Sequence, residues 1–568
     1  MRAVDATLEC LKRAGVSAIF GIPGGPVIPL FDALHDDPDI RTYLARHEQG
    51  AGHMAQGYAK VTGRVGVCTA TSGPGATNLV TPIADAYMDS VPLLALTGQV
   101  GSTRVGTDAF QEADIVGITL PIVKHSYLVK DADDLPAAMT EALHVAQTGR
   151  PGPVLVDVCV DQWAKDVEMF TGPVDLPGYH PPTSAGHPRQ LEVAARVLAA
   201  AERPMIYAGG GIISGSAANE LTRVAELTGA PVVTTLMGLG GFPGTHPLFV
   251  GMPGMHGIAA ATLAFQASDV VLAVGARFDE RVLSTVMHEW APDAKIIHID
   301  VDPAEISKNR AAHIGIAGEA GPTLAALAEA YEQLPERHDE PARRSWVDQI
   351  DEWKRQHPYH VDTAPGVIQP QHVVQAIYRI TRGQAIVCTD VGQHQMWAAQ
   401  HYLFDRPRRW VTSGGLGTMG FGLPSAIGAQ VALPDELVID IAGDGSFEMT
   451  LQELSTVQTY GLPIKIVIMY NGYLGMVRQW QELFWQGRYA GTSFEPYQPS
   501  FARLAESYGI PGTTVSEPGE LDDALTEALS SDGPALVDVH VNPMAKVFPM
   551  VPQGKGPDAM IVGSEASA

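Results

Sequence analysis

The sequence reads as an α/β protein made of three doubly wound parallel-sheet domains. Three observations predict this. Apolar, β-branched runs of five to eight residues recur along the chain, each followed by a Gly-rich turn and a segment of helical period. Two stretches rich in Pro or charge interrupt that rhythm, and a segment in the first third of the chain is echoed in the last third.

The runs are RVGVCTATSGPG (64–75), PLLALTG (92–98), PMIYAGGG (204–211), DVVLAVGARFD (269–279), KIIHIDVDP (295–303), AIVCTDVGQ (385–393), LVIDIAGDG (437–445) and PIKIVIMYNG (463–472). Being apolar on both faces, they belong in sheets covered on both sides. The interruptions run from Trp163 to Pro188 and from Glu336 to Gln371 and read as linkers, which places the domains at 1–165, 186–335 and 368–548. TEALHVAQTGRPGPVLVDVCVD (140–161) resembles TEALSSDGPALVDVHVN (526–542), each an amphipathic helix, a Gly-Pro turn and a closing strand. Domains one and three therefore read as copies.

Composition excludes several classes. At 568 residues and 45% hydrophobic content the chain is neither a small module nor disordered over most of its length. Against 63 Asp and Glu there are 37 Lys and Arg, a net charge of −26 that disfavours a nucleic-acid partner. Cys10, Cys68, Cys159 and Cys388 lie far apart, with neither zinc-site spacing nor a disulfide framework. No run approaches the ~18 apolar residues of a membrane helix, and the amphipathic start MRAVDATLECLKRAG is unlike a signal peptide. The expectation is a cytoplasmic protein without a membrane partner.

Two Gly-rich turns carry candidate chemistry. Gly415-Leu-Gly-Thr-Met-Gly420 is formally a G-x-G-x-x-G with an acid, Asp440, 20 residues on, as a nicotinamide fold requires. Asp440 is not at the end of its apolar run, however, where a ribose-binding acid belongs. The run continues into Gly443-Asp444-Gly445-Ser446, a strand-end turn that opens a helix, and Asn471 ends the next run 27 residues later. Glycines admit a phosphate to backbone N–H groups at a helix start. The Asp444 carboxylate and Asn471 amide are hard oxygen ligands suited to the Mg²⁺ that a diphosphate needs.

This GDGS segment followed by Asn471 resembles the signature of thiamine diphosphate enzymes, and the chain is similar over nearly its whole length to the large catalytic subunit of acetohydroxyacid synthases. The resemblance implies a pyrimidine-binding, a central FAD and a diphosphate-binding domain, with active sites shared between two subunits of a homodimer. It leaves open a tetramer and a small regulatory subunit. Arg46-His47-Glu48-Gln49-Gly50-Ala51 resembles the segment whose glutamate contacts the cofactor's aminopyrimidine ring, making Glu48 the central acid. Gly25, presenting an N–H near the reacting centre, and Gln111, holding an oxyanion, join it; Gly73-Pro74-Gly75 with Asn78 reads equally as a structural turn.

In the third domain the resemblance gives Val391, Gly392, Gln393, His394, Gly417, Gly445, Ser446, Leu474, Gly475, Met476 and Val477 to thiamine diphosphate. Met419 becomes the apolar wedge that bends the cofactor, and Asp444, Asn471 and the Tyr473 carbonyl become the Mg²⁺ ligands. FAD would take Arg150, Gly209, Gly210, Met255, His256, Gly275, Arg277, Asp279, Arg281, Asp300 and Asp302. Phe110, Met255, Arg281 and Trp480 match the residues that receive the second 2-keto acid. The implied reaction is decarboxylation of pyruvate and transfer of the two-carbon unit to pyruvate or 2-ketobutyrate, in branched-chain amino-acid synthesis. One departure stands out: relatives carry Pro-Lys-Asp where this chain has Cys159-Val160-Asp161, which leaves room for an acyloin-forming paralogue with another acceptor. A non-catalytic cofactor-binding subunit and a nicotinamide dehydrogenase are the remaining alternatives.

Overall fold

The computed structural model describes residues 1–182, 184–283, 287–335, 340–359, 361 and 365–563. Every long apolar run becomes a buried parallel strand, and the strands form three six-stranded sheets flanked by helices. The first sheet holds β1 (Ala18–Gly21), β2 (Arg41–Leu44), β3 (Gly66–Ala70), β4 (Leu93–Gln99), β5 (His125–Val129) and β6 (Pro153–Cys159) in the order β2-β1-β3-β4-β6-β5. The second holds β7 (Pro204–Ala208), β8 (Val232–Thr234), β9 (Phe249–Gly251), β10 (Val270–Val274), β11 (Lys295–Asp300) and β12 (Ile314–Ala317) in the order β12-β11-β10-β7-β8-β9. The third holds β13 (Ile386–Thr389), β14 (Trp410–Val411), β15 (Val438–Gly443), β16 (Lys465–Tyr470), β17 (Gly512–Val515) and β18 (Ala535–His540) in the order β14-β13-β15-β16-β18-β17.

Renumbered within their own domains, the first and third sheets share one strand order, 2-1-3-4-6-5. The repeated sequence segments fall at equivalent places: helix Leu135–Gln147 with β6, and helix Leu521–Ser530 with β18. The middle sheet differs. Its order reads 3-2-1-4-5-6 backwards, the dinucleotide-binding arrangement, with the reversal of strand order between β7 and β10.

Helix Glu48–Thr62 of the first domain lies directly on helix Gly422–Ala432 of the third, and one apolar cluster containing Met54, Tyr58, Ile427 and Ala429 runs through both domains. Glycines permit the approach. A Cβ on Gly57 would fall 2.0 Å from the Ser425 carbonyl oxygen, and one on Gly428 would fall 1.8 Å from that of Met54.

The stretch 336–371, read from sequence as a linker, contains helix Glu340–Gln356. Trp346 and Ile350 enter the middle-domain core, and Trp346 Nε1 donates to the Pro204 carbonyl at 3.0 Å. Its many charges hide a Trp346, Ile350, Trp353 stripe at helical spacing. The first linker is also packed, with Trp163 fully buried and its Nε1 donating to Pro26 at 2.9 Å.

Gly428→Ala is expected to destabilise the chain by about 3 kcal/mol, because both sides of the overlap are helical backbone that cannot step aside. Denaturant unfolding measures this, and an unchanged midpoint would contradict the described helix contact.

Candidate active site

The two third-domain turns singled out in the sequence leave neighbouring strands. β15 and β16 pair in register Gly443↔Met469, so Asp444 and Asn471 emerge side by side at the C-terminal edge of the sheet. Asp444 Oδ2 accepts the Gly472 amide at 2.7 Å and Asn471 Oδ1 accepts the Tyr473 amide at 3.0 Å. Burial pushes the Asp444 carboxyl up to about 6, and among the described residues no cation pairs with it. An anion held in a dry corner without a counter-charge fits a metal ligand. No described group of three or more His, Cys, Asp or Glu side chains is arranged to hold an ion, so Asp444 and Asn471 by themselves supply only part of a coordination shell.

Backbone surrounds this corner. Helix Gly475–Phe484 begins there, and its first-turn amides, Gly475, Met476 and Val477, are helix-terminal donors of the kind that hold phosphate. A Cβ on Gly475 would fall 2.1 Å from Gln393 Oε1, and one on Gly445 2.5 Å from the Phe494 ring. Gln393 cannot swing away freely, because its Nε2 donates to Gln479 at 2.8 Å and to the Ala545 carbonyl at 3.0 Å. His394 is buried, has its pKa lowered to about 3 by desolvation, and leaves Nε2 without a hydrogen-bond partner. Its ring abuts Gly443, where a Cβ would meet Nδ1 at 2.7 Å. Ser446 Oγ donates to the Gly443 carbonyl at 3.1 Å. Asp390 joins two loops, accepting the amides of Val391 at 3.0 Å and Gly420 at 2.7 Å. Gly417, at φ +72°, makes the turn just before Met419.

Asp440 pairs in mid-strand with Cys388 and Ile466, and burial beside Asp390 raises its pKa far above the carboxylate range. It reaches no strand tip, which removes the ribose-binding role a nicotinamide site would need.

In the middle domain, the reversal of strand order places Gly209 after β7 against Gly275 after β10. A Cβ on Gly209 would sit 2.1 Å from the Gly275 carbonyl oxygen, and one on Gly211 2.5 Å from the Gly275 Cα. This all-backbone crevice at a topological switch point is where doubly wound sheets take dinucleotides. Asp300 ends β11, pushed up to about 6 by burial, with Oδ1 accepting the Asp302 amide at 2.9 Å. Arg150 crosses from the first domain to Glu305 at 2.7 Å and Asp302 at 3.6 Å. Asp279 Oδ1 accepts the Arg281 amide at 2.9 Å.

One cavity of about 890 Å³ joins these regions. It is lined by Arg150, Gly209, Gly210, Met255, His256, Gly275, Arg277, Asp279, Arg281 and Asp300, and by Val391, Gly392, Gly417, Met419, Met476, Val477 and Trp480. Where the two parts meet, the Arg281 guanidinium lies 5.9 Å from the Trp480 ring centroid and Arg281 Nη1 is 3.3 Å from Met255 Sδ.

The remaining candidates gather at the C-terminal edge of the first sheet. Glu48 opens its helix, capped by His47, whose ring accepts the Gln49 amide at 3.1 Å. The amides of Arg46 and His47 are held at 2.9 and 3.0 Å by Glu453 of the third domain, and a Cβ on Gly50 would lie 2.5 Å from that carboxylate. Asn78 donates to Glu48 Oε2 at 2.9 Å, so the Gly73–Asn78 turn positions the acid. Gln111, at φ +59°, packs on Gly73, and Gly24 packs on Thr71. A Cβ on Gly25 would meet nothing within 4 Å, so its backbone faces open space. Phe110 is 89% exposed. Glu48, Gly25, Phe110 and Gln111 do not line the large cavity of the same chain. Val160 packs against the first-domain core and is likewise outside it.

Three family models match the chain: the N-terminal TPP binding domain of thiamine pyrophosphate enzymes at residues 1–118, their central domain at 191–327, and their C-terminal TPP binding domain at 390–539. The class is therefore a three-domain thiamine diphosphate enzyme. The acetolactate synthase large subunit of Corynebacterium glutamicum is 49% identical, covering 98% of this chain and 89% of its own length. That of Parasynechococcus marenigrum is 48% identical over 98% and 90%, and the isozyme 3 large subunit of Escherichia coli is 45% identical over 99% and 98%. The chain belongs to the family of acetolactate synthase large subunits.

Sequence reasoning missed Asp390, whose carboxylate ties Val391 to Gly420, and Glu453, which holds the Arg46 and His47 amides from 407 and 406 residues away; neither carries a motif of its own.

Gly475→Ala is expected to weaken thiamine diphosphate binding at least about tenfold, since the new methyl must displace a Gln393 held by two hydrogen bonds. Cofactor titration followed by tryptophan fluorescence measures it. Wild-type affinity in the variant would show that the Gly475 corner is not the binding surface.

Proposed function

We propose that this chain is the catalytic subunit of an acetolactate synthase, acting through units 1–165, 186–335 and 368–548 with thiamine diphosphate, Mg²⁺ and FAD. The observation that carries the reading is the cavity junction, where Arg281, Met255 and Trp480 converge beside Val391, Gly392 and Met419. A guanidinium facing an indole beside a thioether makes a slot with one cation and apolar walls, the recognition that a second 2-keto acid requires.

When bound, thiamine diphosphate supplies the carbon nucleophile and the electron sink for decarboxylation. Asp444, Asn471 and the Tyr473 carbonyl would hold Mg²⁺, with the amides of Gly475, Met476 and Val477 and the buried His394 on the diphosphate side. Glu48 holds a proton at the ring nitrogen of the aminopyrimidine, and the Asn78 donor fixes its carboxylate. Gln111 and the Gly25 amide present donors to a developing oxyanion. Arg281 orients the acceptor by its carboxylate, while Trp480, Met255 and Phe110 bound its side chain. The Gly209–Gly275 crevice, Arg150 and Asp300 suit FAD, for which the net reaction has no redox task.

Glu48, Gln111 and Phe110 stand apart from the large cavity of their own chain, with Phe110 in solvent. This favours a homodimer in which the first domain of one copy faces the third domain of the other. Among the described residues no helix is long and apolar enough to cross a membrane.

The direct test is purified protein with pyruvate, thiamine diphosphate, Mg²⁺ and FAD, assayed for CO₂ and acetolactate together. Both products are expected. CO₂ alone would sink the acetolactate synthase reading and point to a decarboxylase or to a foreign acceptor. Glu48→Gln should lower turnover by about two orders of magnitude with folding retained; near-normal turnover would remove Glu48 from the chemistry. With pyruvate and 2-ketobutyrate competing, Trp480→Leu should change the product ratio by about tenfold, and an unchanged ratio would place Trp480 outside the acceptor slot.

A further inference from the structure

The loop Ser413–Gly420, which carries Gly417 and Met419, is gripped by the first domain of the same chain. Asp89, with its side chain fully buried, accepts the Gly415 amide at 2.7 Å and the Gly414 amide at 3.1 Å. It also pairs at 2.7 Å with Lys60, a side chain only 9% exposed, whose ammonium donates to the Thr412 carbonyl as well. Asp85 lies four residues earlier on the same face of helix Val80–Asp89 and is fully buried. It accepts the Thr418 hydroxyl at 2.9 Å and the Ser413 hydroxyl, and Ser413 Oγ in turn accepts the Thr418 amide at 2.9 Å. Both ends of the loop's bend are thus tied to one helix of another domain.

Such an arrangement is costly for packing alone. Two carboxylates are buried near a single lysine: Lys60 pairs with Asp89, while the desolvation of Asp85 is offset only by the loop's own hydroxyl groups. We propose that Asp85 and Asp89, with Lys60, are positioning residues that hold Gly417 and Met419 in register with the cofactor. The proposal rests on the reading of those two residues as cofactor contacts. It makes each chain's first domain serve two sites: Glu48 projects at one edge, while the helix bearing Asp85 and Asp89 fixes the third-domain loop that faces the large cavity.

The test uses the full chain and three variants. Asp89→Asn leaves an amide able to accept on one side only, so one loop amide and Lys60 lose partners. Thr418→Val removes a single hydroxyl while keeping shape. Asp85→Asn retains an acceptor for Thr418 and Ser413. The dissociation constant for thiamine diphosphate at saturating Mg²⁺ is read by tryptophan fluorescence, with flavin absorbance and melting temperature measured in parallel. Asp89→Asn should weaken cofactor binding about 10- to 100-fold and Thr418→Val about three- to tenfold. Asp85→Asn should remain closest to wild type, and flavin content should be unchanged in Thr418→Val. If Asp89→Asn does not fold, Thr418→Val decides. Unchanged cofactor affinity with a lowered melting temperature, or loss of flavin in place of thiamine diphosphate, overturns the proposal. Failure of the wild-type chain to bind thiamine diphosphate removes the reading of the site itself and this proposal with it, whereas a binding wild type with unaffected variants removes only the proposal.

Discussion

The rest of the molecule depends on the backbone contact between helix Glu48–Thr62 and helix Gly422–Ala432. Gly57 and Gly428 let carbonyl groups sit where side chains would otherwise stand, and a shared apolar cluster closes around them. The consequence is mechanical. At about 1.5 Å per residue, Glu48 and Lys60 lie at opposite ends of one rigid rod about 18 Å apart. One end is fixed by Glu453 and carries the acid, and the other reaches Thr412 and Asp89 beside the Met419 loop. A helix seated this closely cannot shift without moving both.

The first and third sheets share a strand order, so each presents the same kind of C-terminal edge. The two edges differ in what their strand tips carry. Strand tips of the first sheet lead to Glu48, Asn78 and Gln111, and those of the third to Asp444 and Asn471. The middle sheet, with its different order, contributes a dinucleotide-type crevice whose switch point opens into the same cavity as the third-domain loops.

Much of this was legible in the sequence, for a physical reason. A strand buried on both faces is predominantly apolar, and all eight long apolar runs are such strands, from β3 to β16. Edge strands escaped: β2 and β5 each bury a single residue and resemble ordinary surface segments. Helix Glu340–Gln356 escaped because its solvent face is densely charged. The site divides likewise. Asp444 and Asn471 are legible because adjacent strand tips leave a fixed sequence spacing. Asp85 and Asp89 are not, because the groups they hold lie 325 to 333 residues away and only the packed helices bring them together.

The charge distribution ties these observations to the chemistry. A chain of net charge −26 repels anions over its surface, yet a diphosphate, a dinucleotide and 2-keto acids are all anionic. At physiological salt that repulsion fades within about 8 Å, so capture is decided by local groups. Those groups include uncharged and cationic ones, the helix-terminal amides at Gly475, a neutral His394 and Arg281 at the cavity junction, although Asp279, Asp300 and Glu305 also line the cavity. Other buried acids near the cavity are committed elsewhere, Asp85 and Asp89 to the loop and Asp390 to two backbone amides. Asp444, like the buried Asp85, Asp300 and Asp390, pairs with no cation among the described residues; what sets it apart is its place beside Asn471 at adjacent strand tips, where a metal ion accompanying an anionic cofactor would bring positive charge.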